Sequence, residues 1–223
     1  MAAASQICYL CGKDETQLSE PLTHDHVIAD CFFPQPKPAN LLTLPCCVAC
    51  QKEYRMDEEY VRNAFAPISN VSASTDALQA WKKTHRSIKR RPALHSDFMQ
   101  RIFPVSIGGV NLSGLSFSQA RTEKVMRKIV LGLHYHHTGV RLPNDVETTV
   151  YFQPSNILDD CLKYRRYVGR YGDTFSYAGA FAVEGDSIWW LSFYKSILVI
   201  VGVWTTQINK DAQKSGTRGG PAV

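Results

Sequence analysis

The sequence lacks the features that mark secreted and disordered chains. Residues 1–6 contain neither a basic segment nor an apolar one, so we expect no secretory signal. Charged residues make up only 20% of the chain and apolar residues 44%, which is typical of a folded globular protein. We therefore expect a folded protein of the cytoplasm, where cysteines remain reduced.

Long uninterrupted apolar runs are also missing. The most apolar stretch, residues 188–204, has Lys195 near its middle and is broken further by Ser192, Ser196 and Gly202. A helix that spans a membrane needs about 20 consecutive apolar residues. We therefore predict two β-strands here and no membrane partner.

The chain of 223 residues is long enough for one domain, or for a small module attached to a larger one. We predict an α+β fold in which a small zinc-stapled module is followed by helices and an antiparallel β-sheet. The predicted segments are a zinc-stapled module over residues 1–65, a linker and basic helical region over 66–117, a helix plus antiparallel sheet extension over 118–209, and a disordered tail over 210–223.

Local patterns predict individual elements within these segments. We expect a short strand over residues 40–44, a helix beginning near Cys47, and an N-terminal helical turn at residues 57–59. Asp76 and Gln79 resemble a capping box for a helix ending near Lys89, after a linker over residues 66–75. Further predicted elements are a helix over 118–137 and strands over 146–152, 175–183, 188–194 and 197–204.

Two C-x-x-C pairs predict a metal site. Cys8 with Cys11 and Cys47 with Cys50 have the spacing that lets four thiolates converge on one Zn²⁺ ion. A site closed by four thiolates is structural, so any catalysis must lie elsewhere. The remaining cysteines are not expected to bind the ion: Cys46 is out of phase with the second pair, and Cys31 and Cys161 are expected to be buried.

Three side chains that can bind metals or transfer protons follow one another between the two cysteine pairs. Residues 23–28 alternate as a strand does, which would place His24 and His26 on one face and Asp25 on the other. A single histidine in a strand is usually structural. A consecutive His-Asp-His group enclosed by a zinc framework instead indicates a functional site.

At this point the sequence resembles the zinc-containing branch of the HNH endonucleases, which have a ββα-metal core related to the treble clef. The resemblance covers about residues 7–65, and residues 132–137, 141–143 and 190–194 are similar to a carboxy-terminal extension of bacterial members. The residues that carry it in the first segment are Cys8, Cys11, residues 25–28, residues 40–44, Cys47, Cys50, Lys52 and residues 57–60.

The resemblance implies roles for four residues. His26 would be the general base that activates water, and Asp25 would hold a catalytic Mg²⁺ or Mn²⁺ ion. Asn40 matches the residue that braces the loop and orients the base. Gln51 stands where the family commonly has Asn or His to complete the metal site. This departure leaves open a weak or Mn²⁺-dependent nuclease, a site completed by His24 or Glu53, and a domain that binds DNA without cutting it.

Positive charge is concentrated in one predicted helix. The chain has a formal net charge of +5 and a pI near 8.8. Such a helix can be an ordinary solvated face or a surface that follows phosphates. The candidate nucleic-acid-binding residues are Lys82, Lys83, Arg86, Lys89, Arg90 and Arg91.

Three functional hypotheses follow. The first is a metal-dependent endonuclease that acts on nucleic acid, with DNA favoured over RNA. The second is a zinc-binding module that recognises nucleic acid or protein without catalysis. The third is a toxin or defence effector held inactive by a partner, for which the carboxy-terminal extension could provide the contact, as it could for a homo-oligomer.

Overall fold

The computed structural model describes residues 6–69, 72, 74–153, 166–182 and 186–205, and these form an α+β fold. The predicted α+β class is thus confirmed. The predicted tail over 210–223 and Cys161 lie outside the described residues. The boundaries predicted at residues 65, 117 and 209 stay predictions.

The first elements are a two-stranded antiparallel hairpin and a long helix. Strand β1 (Thr23–His26) pairs with strand β2 (Thr43–Cys46), and helix α1 (Val48–Ile68) follows. The predicted strand over residues 40–44 was therefore placed too early. Residues 43–46 pair with β1, so β2 extends to Cys46. Pro45 is tolerated within it because β2 is an edge strand.

Helix α1 is one continuous element of 21 residues. The prediction that residues 57–59 form an N-terminal turn is wrong, since these residues lie in the middle of the helix. Tyr54, Val61 and Phe65 form a buried stripe on α1 that runs past this acidic stretch. Packing of this stripe stabilises the helix on both sides of residues 57–59. The predicted linker over 66–75 is too long, because α1 ends only at Ile68.

Helix α2 (Thr75–Arg90) begins close to the predicted position but with a different cap. Oγ of Ser74 accepts a hydrogen bond from the amide of Ala77. The predicted capping role of Asp76 is wrong because its carboxylate accepts hydrogen bonds from the distant residues Asp173 and Thr174.

The next elements were not predicted. Helix α3 (Pro92–Gln100) starts directly after α2, and strands β3 (Ile102–Ile107) and β4 (Val110–Leu115) form a separate hairpin. Gly108 and Gly109 both have positive φ, which a two-residue turn between right-twisted strands requires.

The second half of the chain matches its prediction closely. Helix α4 (Gln119–Thr138) is capped by Ser118 and ends at Gly139, whose φ of 70° lies in the left-handed region. The five strands that follow form one antiparallel sheet in the order β5-β9-β8-β7-β6. They are β5 (Glu147–Gln153), β6 (Tyr167–Tyr171), β7 (Phe175–Phe181), β8 (Ser187–Phe193) and β9 (Ile197–Trp204).

Four of these strands were predicted, and β6 was not. The apolar run over residues 188–204 forms β8 and β9, as predicted, and Lys195 lies in the turn that joins them. Among the described residues, none of the helices combines the length and the apolar character needed to cross a lipid bilayer.

One apolar core joins the hairpin and α1 to the second half of the chain. It contains residues from Cys8 to Val203, including Val27 beside the hairpin and Leu133 of α4. Gly132 allows α4 to approach Val27 closely, since a Cβ atom at this position would lie only 2.6 Å from Cγ1 of Val27.

Substitution of Gly132 by alanine should therefore destabilise the protein by about 1 kcal/mol, because overpacking costs about 1–3 kcal/mol and the gain in helix propensity offsets part of it. The measurement is the free energy of unfolding in urea. In the double variant Gly132→Ala/Val27→Ala the loss should be smaller than the sum of the two single losses. Strict additivity would show that contact with Val27 is not the cause.

Candidate functional site

The four cysteines of the two predicted pairs come together. The Sγ atoms of Cys8, Cys11, Cys47 and Cys50 all lie within 4.8 Å of one another, and those of Cys11 and Cys47 are 3.8 Å apart. Four sulfurs at about 2.3 Å from a central Zn²⁺ ion would be separated by about 3.8 Å along each tetrahedral edge. The cluster can therefore hold a metal ion such as zinc.

The local backbone explains why the sulfurs converge. Cys47 is the residue before the first turn of α1, so Cys50 returns to the same side of the helix start. On the other loop, Gly12 has a φ of 79° and its amide bonds to the carbonyl oxygen of Cys8, which turns the chain sharply after Cys11. A hydrogen bond with Cys46 lowers the pKa of Cys8, whereas burial raises the pKa of Cys11 and hydrogen bonds with Cys46 and Cys8 raise that of Cys50.

Cys46 lies closer to the cluster than its sequence position suggested. It is completely buried, and its Sγ is 3.8 Å from that of Cys8. Cys31 is outside the cluster, and burial raises its pKa to about 12, so it remains a neutral thiol.

Replacement of Cys47 by serine should abolish stoichiometric zinc binding and lower the melting temperature, because one thiolate of the tetrahedral set is lost. Zinc content of the purified protein, measured by mass spectrometry, provides the readout. Cys31→Ser is the matched control and should retain about one zinc ion per chain. Full zinc retention in Cys47→Ser would exclude this ligand set.

Asp25 of β1 points inward and is held by two donors. Its Oδ2 atom accepts a hydrogen bond of 2.8 Å from the hydroxyl of Tyr9 and lies 2.8 Å from Nζ of Lys128. Burial and the charge of Asp25 raise the pKa of Tyr9 well above its usual value, so Tyr9 remains a donor. The other oxygen of the carboxylate, Oδ1, forms no hydrogen bond with any described residue.

Lys128 of α4 is the centre of this ionic cluster. Its side chain is 1% exposed, and Nζ contacts Asp25, Oε1 of Glu58 and, at 3.2 Å, the carbonyl oxygen of His26. Burial lowers the pKa of the ammonium group, but the charges of Glu58 and Asp25 outweigh this effect and raise it. The three protons of Lys128 therefore join α4, α1 and β1.

Removal of this ammonium group should be costly. Lys128→Met leaves two poorly solvated carboxylates without a counterion, for an expected loss of about 3 kcal/mol in unfolding free energy. Lys124→Met is the control one turn earlier on α4. Lys124 is 34% exposed and pairs with Glu53 and Asp57, so its loss should cost below about 1 kcal/mol. Equal losses in the two variants would mean that Lys128 is an ordinary surface cation.

The imidazoles on β1 are placed differently from Asp25. His24 is exposed and His26 is partly buried. The side chain of His26 forms no hydrogen bond with any described residue, so its ring nitrogens are available. Asn40 is exposed, lies just before β2, and does not reach His26 by a hydrogen bond in the described structure.

Gln51 of α1 is tied to β1 by its amide. Oγ1 of Thr23 donates to the carbonyl oxygen of Cys46, so it must accept from Nε2 of Gln51, at 2.6 Å. This fixes the amide with its nitrogen towards Thr23. The carbonyl oxygen Oε1 of Gln51 has no hydrogen-bond partner among the described residues. Thr23 and Asp25 are two residues apart on the strand, so Gln51 approaches the face that carries Asp25.

Asp30, four residues after His26, is surrounded by positive charges. Burial opposes ionisation of Asp30, but a hydrogen bond from Lys37 and the charges of Lys37, His26 and Lys83 lower its pKa. Nζ of Lys83 also donates to the carbonyl oxygen of Cys31, at 3.1 Å. These contacts join α2 to the segment that follows β1.

The basic residues predicted to bind nucleic acid lie on different parts of the surface. Lys82, Lys83 and Arg86 line a cleft of about 610 Å³, which we call the basic cleft. Lys89 and Arg90 are exposed in the last turn of α2 and do not line it. Arg91 forms an ion pair of 2.9 Å with Glu59 of α1, on a different surface.

Sequence reasoning missed Lys128, Glu58 and Tyr9. Two of them carried a signal: Lys128 lies among the buried residues Val125 and Ile129, and Glu58 falls on the apolar stripe of α1. A lysine on one apolar stripe and a glutamate on another indicate a buried ion pair between two helices.

Compared with known proteins, the chain matches no family model, no curated protein and no solved structure.

Proposed function

We propose that the protein is a metal-dependent endonuclease of the HNH type that hydrolyses phosphodiester bonds in nucleic acid, with DNA favoured over RNA and His26 as the general base. The observation that carries this proposal is the position of His26. Its imidazole is partly exposed and has no hydrogen-bond partner among the described residues. Five residues further along the chain, the carbonyl oxygen of Cys31 accepts a hydrogen bond from Nζ of Lys83 on α2. Lys83 also lines the basic cleft.

The local fold supports the family assignment. A two-stranded hairpin is followed by a helix, and the four clustered cysteines come from the loop before β1 and from the start of α1. A structural zinc ion in this cluster would stabilise a segment that has few residues for a core of its own.

The proposed chemistry needs a proton acceptor and positive charge near the phosphate. An imidazole can accept a proton from water at neutral pH. The side chains that would hold Mg²⁺ or Mn²⁺ are Asp25, through Oδ1, and Gln51, through Oε1, since both oxygens have no partner in the described structure. When bound, such an ion stabilises charge on the leaving oxygen. Lys82, Lys83 and Arg86 would hold the phosphate backbone beside His26.

A second candidate, a module that binds nucleic acid without hydrolysis, is favoured by the contacts of Asp25. Lys128 already supplies a positive charge at 2.8 Å from this carboxylate, and a divalent ion on the same group would be repelled by the ammonium. The basic cleft serves binding equally well in both candidates.

The test compares cleavage by the wild type, His26→Ala and His24→Ala. Plasmid, single-stranded DNA and RNA are each incubated with the zinc-loaded protein and Mg²⁺ or Mn²⁺, and products are resolved on gels. His26→Ala should reduce the rate by about 100-fold or more, because it removes the proton acceptor. His24→Ala should leave it nearly unchanged, since His24 is the exposed neighbour on the same strand.

Equal cleavage by the wild type and His26→Ala would refute the assigned base. Binding by the wild type without any cleavage, in either cation, would select the second candidate.

A further inference from the structure

The cleft on α2 combines two kinds of surface. One side is formed by Phe33 and Pro34, which follow the short 3-10 helix Asp30–Phe32, and the other side by α2. Phe33 is 1% exposed and packs edge-on against Tyr171, with ring centroids 6.3 Å apart, so this side is rigidly supported. A cleft of about 610 Å³ is within the range of small-ligand sites.

The charge of the cleft is of one sign. Lys82, Lys83 and Arg86 line it, and no acidic side chain among the described residues does. Burial and the positive charge of Arg62 lower the pKa of Lys83, since both oppose its ammonium form. An anion placed here would relieve that repulsion, and the phosphate of a nucleotide has the required charge.

The remaining surface fits a base better than a phosphate. Apolar groups dominate the lining, and the amides of Gln35 and Gln79 together with the ring of His85 add hydrogen-bonding groups. A phosphate gains nothing from an apolar wall, whereas a base can lie against Pro34 and the exposed ring of His85 and use amides at its edge. The buried ring of Phe33 supports this wall but offers no face for stacking. In a duplex the bases are stacked inside the helix, so only an unpaired base can enter a concave site of this kind.

We propose that this cleft binds one unpaired nucleotide, with its base between the segment at Phe33–Pro34 and α2 and its phosphate on Lys82 and Arg86, so that the protein prefers single-stranded nucleic acid. The proposal rests on the proposed function for nucleic acid as the ligand, and it does not require hydrolysis. The hydrogen bond from Lys83 to the carbonyl oxygen of Cys31 places the cleft beside the segment that follows β1.

The experiment measures binding of the full chain, zinc-loaded and without added Mg²⁺ or Mn²⁺, by fluorescence anisotropy. The ligands are a labelled single strand, the corresponding duplex, and an abasic single strand of equal length and charge. The single strand should bind about tenfold more tightly than the abasic strand, because stacking of a base contributes about 1–3 kcal/mol. It should also bind more tightly than the duplex.

Two double variants locate the effect. Lys82→Ala/Arg86→Ala should weaken single-strand binding by about tenfold and reduce the preference over the duplex. Lys89→Ala/Arg90→Ala removes the same charge from the same helix outside the cleft, and should weaken both ligands by a similar, smaller factor. Equal affinity for the abasic and normal strands, a preference for duplex, or equal losses in the two double variants would overturn the proposal.

Failure of this inference and failure of the proposed function give different results. If His26→Ala abolishes cleavage but the single strand is not preferred, only the inference is lost. If the preference holds while His26→Ala cleaves as well as the wild type, only the proposed function is lost.

Discussion

The ammonium group of Lys128 joins the two halves of the chain at the inner face of β1. It comes from α4 and contacts carboxylates of β1 and α1 and a backbone carbonyl of β1. A buried cation of this kind must have its hydrogen bonds satisfied, because an unpaired charge in a poorly solvated place is strongly unfavourable. The register of α4 against the hairpin is thereby restricted to positions in which all three acceptors are within reach.

The cysteine cluster and the ionic cluster act on different parts of the small hairpin segment. The sulfurs hold the loop before β1 to the start of α1, where Cys11 and Cys50 are only partly buried. Lys128 holds the other side of β1 to the core of the second half. A metal ion can supply stability where the surrounding loops bury little apolar surface, and apolar packing supplies it where α4 covers the hairpin.

This arrangement separates the two members of the Asp25-His26 pair. Neighbouring residues on a strand point to opposite faces, so the same backbone that turns Asp25 towards Lys128 turns His26 towards the outside. There His26 shares the surroundings of Asp30 with Lys83 of α2. The inner face of β1 thus carries the ionic cluster together with the carboxylate proposed to hold a metal ion, while the outer face carries an imidazole without a hydrogen-bond partner among the described residues.

Much of the fold could be predicted because its signals are local. The 3.6-residue period of α4, the alternation of β5 and β7–β9, and the spacing of the cysteine pairs each lie within a short stretch of sequence. Helix α3, strand β6 and the β3–β4 hairpin are short elements with mixed polarity, so local periodicity is weak in them. The start of α1 near Cys47 was predicted correctly, but a second N-terminal turn was wrongly placed at Asp57 on the strength of its acidic residues. The burial of Tyr54 and Phe65 keeps the helix continuous across that stretch.

Residue type and spacing were enough to indicate which cysteines could form a zinc site and to identify His26 as a residue able to accept a proton. The pairing of Lys128 with both Asp25 and Glu58, which is 70 residues away in the chain, could be seen only in the folded protein. The same holds for the lining of the basic cleft by Lys82, Lys83 and Arg86, and not by Arg91. The reason is physical: ligand type and short spacing are properties of a segment, whereas charge pairing and burial depend on which distant segments the core brings together.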